Sequence, residues 1–238
     1  MMPPAHGQCI IDRRDNERWR ISGWRLFVKQ EMHLTAPPTA VEKARHREQM
    51  GHSSCVIWLT GLSGAGKSTL ANALEEDLFT RGIHTYLLDG DRVRTGLNKD
   101  LGFAAKDREE NIRRIAEVAK LFVDAGVVTV VAFISPFRAD RDRARALFAD
   151  GEFVEVFVDC PIEVCAQRDP KGLYRKAREG VIAEFTGITS PYEPPVSSEV
   201  HLRTDRQPLE ECVATVAQYI LRRVAHGSGA PSVKGADG

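Results

Sequence analysis

Short apolar runs alternate with amphipathic stretches along the chain from residue 54 onward. The predicted strands are 56–60, 84–89, 127–133, 153–158 and a weaker 200–202. Apolar residues at helical spacing predict helices over 107–125, 138–149, a short stretch after Pro161, and 208–224. This repeated β–α alternation predicts an α/β fold, in which helices cover both faces of a parallel β-sheet.

The two ends of the chain lack this pattern. Residues 1–50 are highly charged and contain two Pro-Pro pairs, so we expect a poorly ordered extension with a short helix near 41–50. Residues 227–238 are small and flexible in composition. We therefore predict a single domain over 51–226. Met32 is an alternative start site, which predicts that the residues before it contribute nothing to activity.

Composition narrows the class of protein. The 238 residues carry 33 basic and 33 acidic side chains, which gives no support for a nucleic-acid partner. The five cysteines form no C-x-x-C pair, so we expect reduced thiols and a cytoplasmic protein. The longest apolar run, 127–134, is far shorter than the roughly 20 residues of a membrane-spanning helix, and we expect no membrane partner.

A phosphate-binding motif follows the first predicted strand and opens a predicted helix. It matches G-x-x-x-x-G-K-[ST], and its residues are Gly61, Leu62, Ser63, Gly64, Ala65, Gly66, Lys67, Ser68 and Thr69. Glycines let the backbone approach phosphate oxygens, and free amides at the helix start point at the anion. Lys67 adds charge for the β- and γ-phosphates, and Ser68 can complete a Mg²⁺ shell. The motif predicts binding of a nucleoside triphosphate.

Acidic and basic residues follow the second predicted strand, at the sheet edge where ligands bind in such folds. Asp89 can orient Mg²⁺, directly or through water. Asp91 can accept the proton of a hydroxyl that attacks the γ-phosphate. Arg94 can bind an anionic group of the acceptor. The alternative is an ordinary polar turn, in which Asp and Gly are common.

The start of the long predicted helix offers further candidates. Arg108 and Asn111 are three residues apart and share a helix face, and Phe103 could stack on a base. Asp107 could simply cap the helix. Asn98-Lys99-Asp100 resembles a guanine-reading N-K-x-D signature, but its Asp falls one place early and it follows the second strand. We therefore assign that segment no role.

Two later segments also fall at the ligand edge of the predicted sheet. Ser135 follows the third strand, where its hydroxyl could hold substrate, become phosphorylated or cap the next helix. The basic stretch 168–178 follows the fourth strand, where P-loop kinases usually carry a mobile lid that excludes water. A solvated basic helix is the alternative. Phe185 follows and places another aromatic ring near the cleft.

Taken in order, these segments resemble the adenylyl-sulfate kinase family over residues 51–219. The matching motifs are the Gly-Leu-Ser-Gly loop at 61–64, Asp89-Gly90-Asp91, Asp107-Arg108-x-Glu110-Asn111-Ile112-Arg113-Arg114, Phe133-Ile134-Ser135-Pro136, Lys171-Gly172-Leu173-Tyr174, Phe185-Thr186-Gly187-Ile188 and Pro191-Tyr192-Glu193. The resemblance implies a P-loop fold with a lid near 165–190. It also implies transfer of phosphate from Mg²⁺-ATP to the 3′-hydroxyl of adenosine 5′-phosphosulfate (APS), in sulfate assimilation.

The resemblance assigns roles by position. The loop 61–69 would bind the phosphates of ATP, and Arg168 would lie against its adenine. The residues implied to line the APS site are Asp91, Arg94, Phe103, Arg108, Asn111, Ile134, Ser135, Lys171, Phe185 and Thr186. Ser135 matches a serine described in the family as a phosphoserine intermediate. Because in-line transfer needs only positioning, a metal and a base, we expect Ser135 to hold the acceptor instead.

The sequence departs from the family pattern at three positions. Arg92 stands where Asn is usual, Ala104 where Ser is usual and Thr189 where Asp is usual. None of these changes removes a charged group assigned to phosphate transfer. We therefore expect them to affect substrate affinity more than the reaction.

Two other functions are considered. The chain could phosphorylate another small molecule such as shikimate, gluconate or a nucleotide, although Phe103 and Phe185 favour a planar acceptor. It could also be a non-catalytic nucleotide-binding subunit, although the intact Lys67 and Asp91 argue against that. The resemblance implies a homodimer, and the length implies that a separate ATP sulfurylase supplies APS.

Overall fold

The computed structural model describes residues 39–225. Its helices are α1 (Lys43–Met50), α2 (Lys67–Thr80), α3 (Gly90–Arg94), α4 (Ala105–Asp124), α5 (Arg138–Arg145), α6 (Ile162–Arg168), α7 (Leu173–Arg178) and α8 (Leu209–Val224). Its strands are β1 (Val56–Thr60), β2 (Thr85–Asp89), β3 (Val128–Ala132), β4 (Phe153–Asp159) and β5 (Val200–Arg203). None of the helices in this part of the chain is long and apolar enough to cross a bilayer.

The strands form one parallel sheet in the order β2-β3-β1-β4-β5. The central strands β1 and β3 are buried along their whole length, which explains why their sequences are continuous apolar runs. Apolar side chains of α2 and α8 cover one face of the sheet, and those of α4 and α5 cover the other. The predicted α/β fold is confirmed, and the carboxyl ends of all five strands meet at one edge.

Several element boundaries differ from the prediction. Helix α5 ends at Arg145 rather than near 149, because Leu147 and Phe148 turn back to pack on the core. Pro161 is the N-cap of α6 rather than its first helical residue. The short helix α3 was not predicted, and a helix over α7 was offered only as the alternative to a lid, since five or six residues are too few to show a helical period.

Helix α1 forms where a short helix was predicted, and charge holds it in place. None of its residues is buried. Lys43 and Arg47 each lie 2.6 Å from a different carboxylate oxygen of Glu152, and Lys43 also lies 3.2 Å from Asp124. The expected extension over 1–38 and the tail after 225 lie outside the described residues, so those predictions stay as stated.

Candidate active site

The phosphate-binding loop packs so tightly that side chains would not fit at two glycines. Gly61 has φ 155°, and a Cβ placed there would lie 2.4 Å from the Val158 carbonyl oxygen. Gly64 has φ 78°, and its Cβ would meet the Cys165 carbonyl oxygen at 2.9 Å. Gly66 is the N-cap of α2 and offers no side chain to the first turn. The amides at the start of α2 are therefore available to an anion.

Lys67 folds back onto the start of the phosphate-binding loop. Its ammonium group donates hydrogen bonds to the carbonyl oxygens of Gly61, at 2.9 Å, and Leu62, at 2.7 Å. Only 8% of the residue is exposed, and this burial lowers the pKa of Lys67 to about 8, with Asp89 and Asp91 partly opposing the shift. A phosphate group beside the ammonium would favour its charged form.

Ser68 and Asp89 meet between α2 and the end of β2. The Ser68 hydroxyl donates to Asp89 Oδ2 at 2.7 Å, and Asp89 Oδ1 accepts from the Asp91 backbone amide at 3.0 Å. The second bond makes Asp89 the N-cap of α3 and leaves the Asp91 carboxylate 70% exposed. A hydroxyl and a carboxylate beside a phosphate loop fit Mg²⁺, which binds through one or two protein oxygens together with substrate phosphates.

The basic segment after β4 contacts both the acidic turn and the phosphate loop. Lys171 forms an ion pair with Asp91. Tyr174 is buried in the core, and its hydroxyl donates to the Ser63 carbonyl oxygen at 2.9 Å. Arg168 donates to the Thr204 carbonyl oxygen at 2.7 Å. The residues predicted for a lid therefore reach the two parts of the site that would bind ATP.

Arg94 and Arg108 lie close together at the start of α4, and Arg108 is itself a residue of that helix. Arg108 donates to the carbonyl oxygens of Phe103, at 2.7 Å, and Glu184, at 2.5 Å, and to the Thr186 hydroxyl at 2.7 Å. The Arg94 guanidinium lies 4.5 Å from the centre of the Phe103 ring. Burial lowers the pKa of both arginines. These side chains bring together residues predicted from three separate motifs.

The two predicted stacking rings have different surroundings. Phe103 is 64% exposed, whereas Phe185 is 7% exposed and packs edge-on against Tyr174, with ring centres 4.9 Å apart. A sandwich of an adenine between Phe103 and Phe185 stays a prediction. Asp107 is not the helix cap, because the N-cap of α4 is Ala104, and Asp107 instead accepts from the Gly102 amide at 3.0 Å.

Ser135 is held in an uncommon conformation at the end of β3. It is 2% exposed and has φ 38°, a left-handed value that is uncommon for a residue other than glycine. The Trp58 indole donates to its hydroxyl oxygen at 3.1 Å, and Thr60 donates to the neighbouring Ile134 carbonyl oxygen at 2.8 Å. The suggestion that Ser135 caps the next helix is wrong, because the N-cap of α5 is Phe137.

Sequence reasoning missed a buried ion pair behind Ser135. Arg141 lies 2.7 Å from Glu155, and it also donates to the carbonyl oxygens of Ser135, at 2.6 Å, and Glu193, at 2.8 Å. Arg141 therefore joins the end of β3 to the segment that follows Thr186. The available signal was Glu155, a charge within the apolar run of β4, because a buried charge requires a partner.

A cavity of about 470 Å³ lies between the phosphate loop and the segment that follows Thr186. Its lining is Leu62, Gly187, Ile188, Thr189, Ser190, Pro191 and Tyr192. The Tyr192 hydroxyl lies 3.0 Å from the Thr60 hydroxyl, and burial raises its pKa to about 12. The cavity therefore has apolar walls beside groups that donate and accept hydrogen bonds.

A phosphate loop after β1, carboxylates after β2 and a basic segment after β4 together define a P-loop kinase. A family model described as adenylylsulphate kinase matches residues 53–203. The chain belongs to the adenylyl-sulfate kinase family.

Individual relatives agree with the family model. A probable adenylyl-sulfate kinase of Halalkalibacterium halodurans is 59% identical over 195 residues, covering 82% of this chain and 96% of the relative. The adenylyl-sulfate kinase of Geotalea uraniireducens is 57% identical, covering 79% of this chain and 90% of the relative. The solved Mycobacterium tuberculosis APS kinase in complex with AMPPNP and APS is 45% identical, with a TM-score of 0.68, covering 71% of this chain and 98% of that one.

Proposed function

We propose that this chain transfers the γ-phosphoryl group of ATP to the 3′-hydroxyl of APS, giving 3′-phosphoadenylyl sulfate and ADP. The observation that carries the assignment is the position of Asp91. Its exposed carboxylate pairs with Lys171 and interacts electrostatically with Lys67 of the phosphate loop and with Arg94, whose guanidinium lies over the Phe103 ring. These interactions support a proton acceptor between a triphosphate site and a cationic, aromatic acceptor site.

On the donor side, the chain positions a triphosphate. The amides at the start of α2 bind phosphate oxygens, and the Lys67 ammonium turns from the Gly61 and Leu62 carbonyl oxygens to the β- and γ-phosphates. Ser68 and Asp89 would hold Mg²⁺, Asp89 directly or through water. When bound, Mg²⁺ neutralises charge on the phosphate oxygens.

On the acceptor side, the chain orients a nucleotide that carries two acidic groups. Arg94 and Arg108 bind the phosphosulfate, and Phe103 stacks on the adenine. The Asp91 carboxylate accepts the 3′-hydroxyl proton as the oxygen attacks phosphorus. Ser135 contacts the acceptor, and its hydroxyl is not phosphorylated during turnover; its burial at 2% and its bond from Trp58 support this role.

Residues 165–190 act as the lid of a kinase domain that spans 51–226. The contacts of Lys171 with Asp91 and of Tyr174 with Ser63 support this role, because they tie the segment to both halves of the site. Arg168 would contact the adenine of ATP as the lid closes. Closure excludes water and so favours transfer to the acceptor over hydrolysis.

The direct test is turnover by the purified full chain with Mg²⁺-ATP and APS, with the products separated by chromatography. We expect ADP together with 3′-phosphorylated APS. The D91N variant should lose about 10²- to 10⁴-fold in kcat, the range typical of a general base. The matched control is D77N, which changes an Asp that pairs with Arg81 at the far end of α2 and should retain wild-type turnover.

Each outcome of this test separates the alternatives. ADP formed only with shikimate, gluconate or another nucleotide would retain the kinase and reject APS as the acceptor. ADP formed with no acceptor would indicate hydrolysis. Unchanged turnover of D91N would reject the base assignment. A chain that binds ATP but turns over none of these acceptors would be a nucleotide-binding subunit.

The proposed function also implies an oligomeric state, an upstream enzyme and a cellular location. A homodimer is supported by the family resemblance, and light scattering of the purified chain tests it. A separate ATP sulfurylase would supply APS. The wide spacing of the five cysteines supports a cytoplasmic location, which microscopy of the tagged protein can test.

A further inference from the structure

Asn98 carries a buried polar atom without a partner. The residue is 0% exposed, and its Oδ1 makes no hydrogen bond within residues 39–225. Its Nδ2 donates to Asn111 Oδ1 at 2.9 Å. Leaving a buried acceptor unpaired destabilises the folded state, so an asparagine is a poor choice here for packing alone. The bond to Asn111 is the one side-chain contact that distinguishes Asn98 from an apolar residue of similar size.

This bond fixes the direction of the Asn111 amide. Rotating both amides would leave the two N–H donors of Asn98 buried and unpaired, which is less favourable than one unpaired carbonyl oxygen. Asn98 therefore donates and Asn111 accepts. The Asn111 carbonyl oxygen is occupied, and its NH₂ group, which has no hydrogen-bond partner among the described residues, is left to donate elsewhere. Asn111 retains 4% exposure.

Asn111 lies where such a donor meets the acceptor nucleotide. It follows Arg108 by three residues on α4, so the two side chains share a face. Arg108 in turn contacts Thr186 and the Phe103 carbonyl oxygen. The face that presents the Asn111 amide is therefore the face that lines the proposed APS site.

We propose that Asn98 is a positioning residue, which holds Asn111 as a hydrogen-bond donor toward an accepting atom of the acceptor nucleotide. The inference rests on the proposed function, and it assigns a role to a residue that contacts no substrate itself. The Asn98 amide selects which half of the Asn111 amide faces the site.

The first test is the N98L variant of the full chain. We expect the KM for APS to rise roughly tenfold, the effect of one misdirected hydrogen bond, while kcat and the KM for ATP stay within twofold. The matched control is T129V. Thr129 is also 0% exposed with an unpaired hydroxyl, but it lies at the opposite end of the sheet, so its removal should leave all kinetic constants unchanged.

The N98D variant adds a second measurement, the pH dependence of the KM for APS, which a change in packing alone would not affect. At low pH the new carboxyl is protonated, and its O–H can donate to Asn111 Oδ1 as the native amide does. At high pH the carboxylate only accepts, and the Asn111 amide must rotate to donate to it. Burial places this titration above the ordinary range of Asp. We expect the KM for APS, relative to wild type at each pH, to rise as pH increases.

A double-mutant cycle decides whether Asn98 acts through Asn111. In an N111A background, N98L should change the KM for APS by less than twofold. A full tenfold effect in that background, or an N98L effect no larger than that of T129V, would overturn the proposal. A pH-independent ratio for N98D would do the same. If the wild type fails to phosphorylate APS, the proposed function is rejected and this inference with it, whereas active wild type with unaffected variants rejects the inference alone.

Discussion

Lys67 shows how burial and charge oppose each other at a single residue. Its lowered pKa means that the unfolded chain binds the proton more tightly than the folded one between about pH 8 and 10.5. Folding stability of the wild type should therefore rise with pH across that window. Below it, burying the ammonium costs on the order of 3 kcal/mol in the ligand-free protein.

The K67M variant tests both the phosphate contact proposed for Lys67 and the energetic cost of burying its ammonium group. We expect it to lose ATP-dependent turnover by at least about 10²-fold, because the variant lacks the positive charge that Lys67 would offer to the β- and γ-phosphates. We also expect a ligand-free unfolding temperature above that of wild type at pH 7, and a difference that shrinks as pH rises from 8 to 10.5. Calorimetry across this range provides the measurement. A pH-independent difference would contradict the assigned burial effect.

A hydrogen bond made by Thr189 accounts for one departure of this sequence from the family pattern. Its hydroxyl accepts from the Phe185 backbone amide at 2.8 Å, a role that the usual Asp carboxylate could also fill. The T189A variant should lower the free energy of unfolding by about 1–3 kcal/mol, because a buried amide loses its acceptor. The T189D variant should restore it. Equal unfolding temperatures for T189A and wild type would exclude this explanation.

At the scale of elements, the start of α4 lacks a side-chain cap. Ala104 occupies the N-cap with φ −58° and ψ 155°, and no side chain accepts from the first turn. Serine at this position, usual in the family, should supply that bond. We expect A104S to raise the free energy of unfolding by about 0.5–1 kcal/mol.

Thermal unfolding compares A104S with a matched control. Ala139 is exposed in the first turn of α5, two residues after the N-cap Phe137, so serine there is not at the N-cap and should cost at most a few tenths of a kcal/mol. A104S should therefore unfold above wild type and A139S slightly below it. If both variants shift in the same direction, capping is not the cause.

Elements also show which parts of the fold a sequence reveals. The strands and α4 were predictable because their apolar residues repeat over many positions. Helix α3 was not, because its bounds depend on local contacts such as the Asp89 side chain accepting from the Asp91 amide, and α7 was only the alternative to a lid segment. The pairing of Arg141 with Glu155 was also hidden, since the two residues come from different elements and meet only in the folded chain.

The residues of the candidate site also fall into a group that was predictable from the sequence and a group that was not. The phosphate loop, Asp89 and Asp91 were predictable from spacing and from their place after strands. The contact of Trp58 with Ser135 and that of Asn98 with Asn111 were not, because neither pair has a sequence signal. A motif reports the groups that touch a ligand more readily than the groups that orient them.

At the scale of the whole molecule, α1 depends on charge rather than on apolar burial. Burial raises the pKa of Glu152, but its bonds from Lys43 and Arg47 outweigh that effect and lower the pKa overall. The stabilisation is therefore present above about pH 4.5 and is lost as pH falls through the lowered pKa.

The R47M variant tests this attachment. We expect an unfolding temperature lower by about 2–8 °C at pH 7. The difference should shrink at low pH as Glu152 is protonated, and the part that remains reflects the bonds from Arg47 to the Ser54 hydroxyl and carbonyl oxygens. The control is R45M, on the same helix, because Arg45 is exposed and should be replaceable without effect. Comparable shifts for R45M and R47M would reject an attachment through Glu152.

Through the bond between Trp58 and Ser135, the proposed contact of Ser135 with the acceptor would make the fluorescence of this protein a reporter of acceptor binding. Trp58 is 0% exposed, and its indole N–H points at a hydroxyl that the proposed mechanism places against APS. The sequence contains three tryptophans, and the other two, Trp19 and Trp24, precede residue 39. A chain that begins at residue 39 would carry a single emitter. Its tryptophan emission should change on titration with APS and should be absent when Trp58 is replaced by Phe.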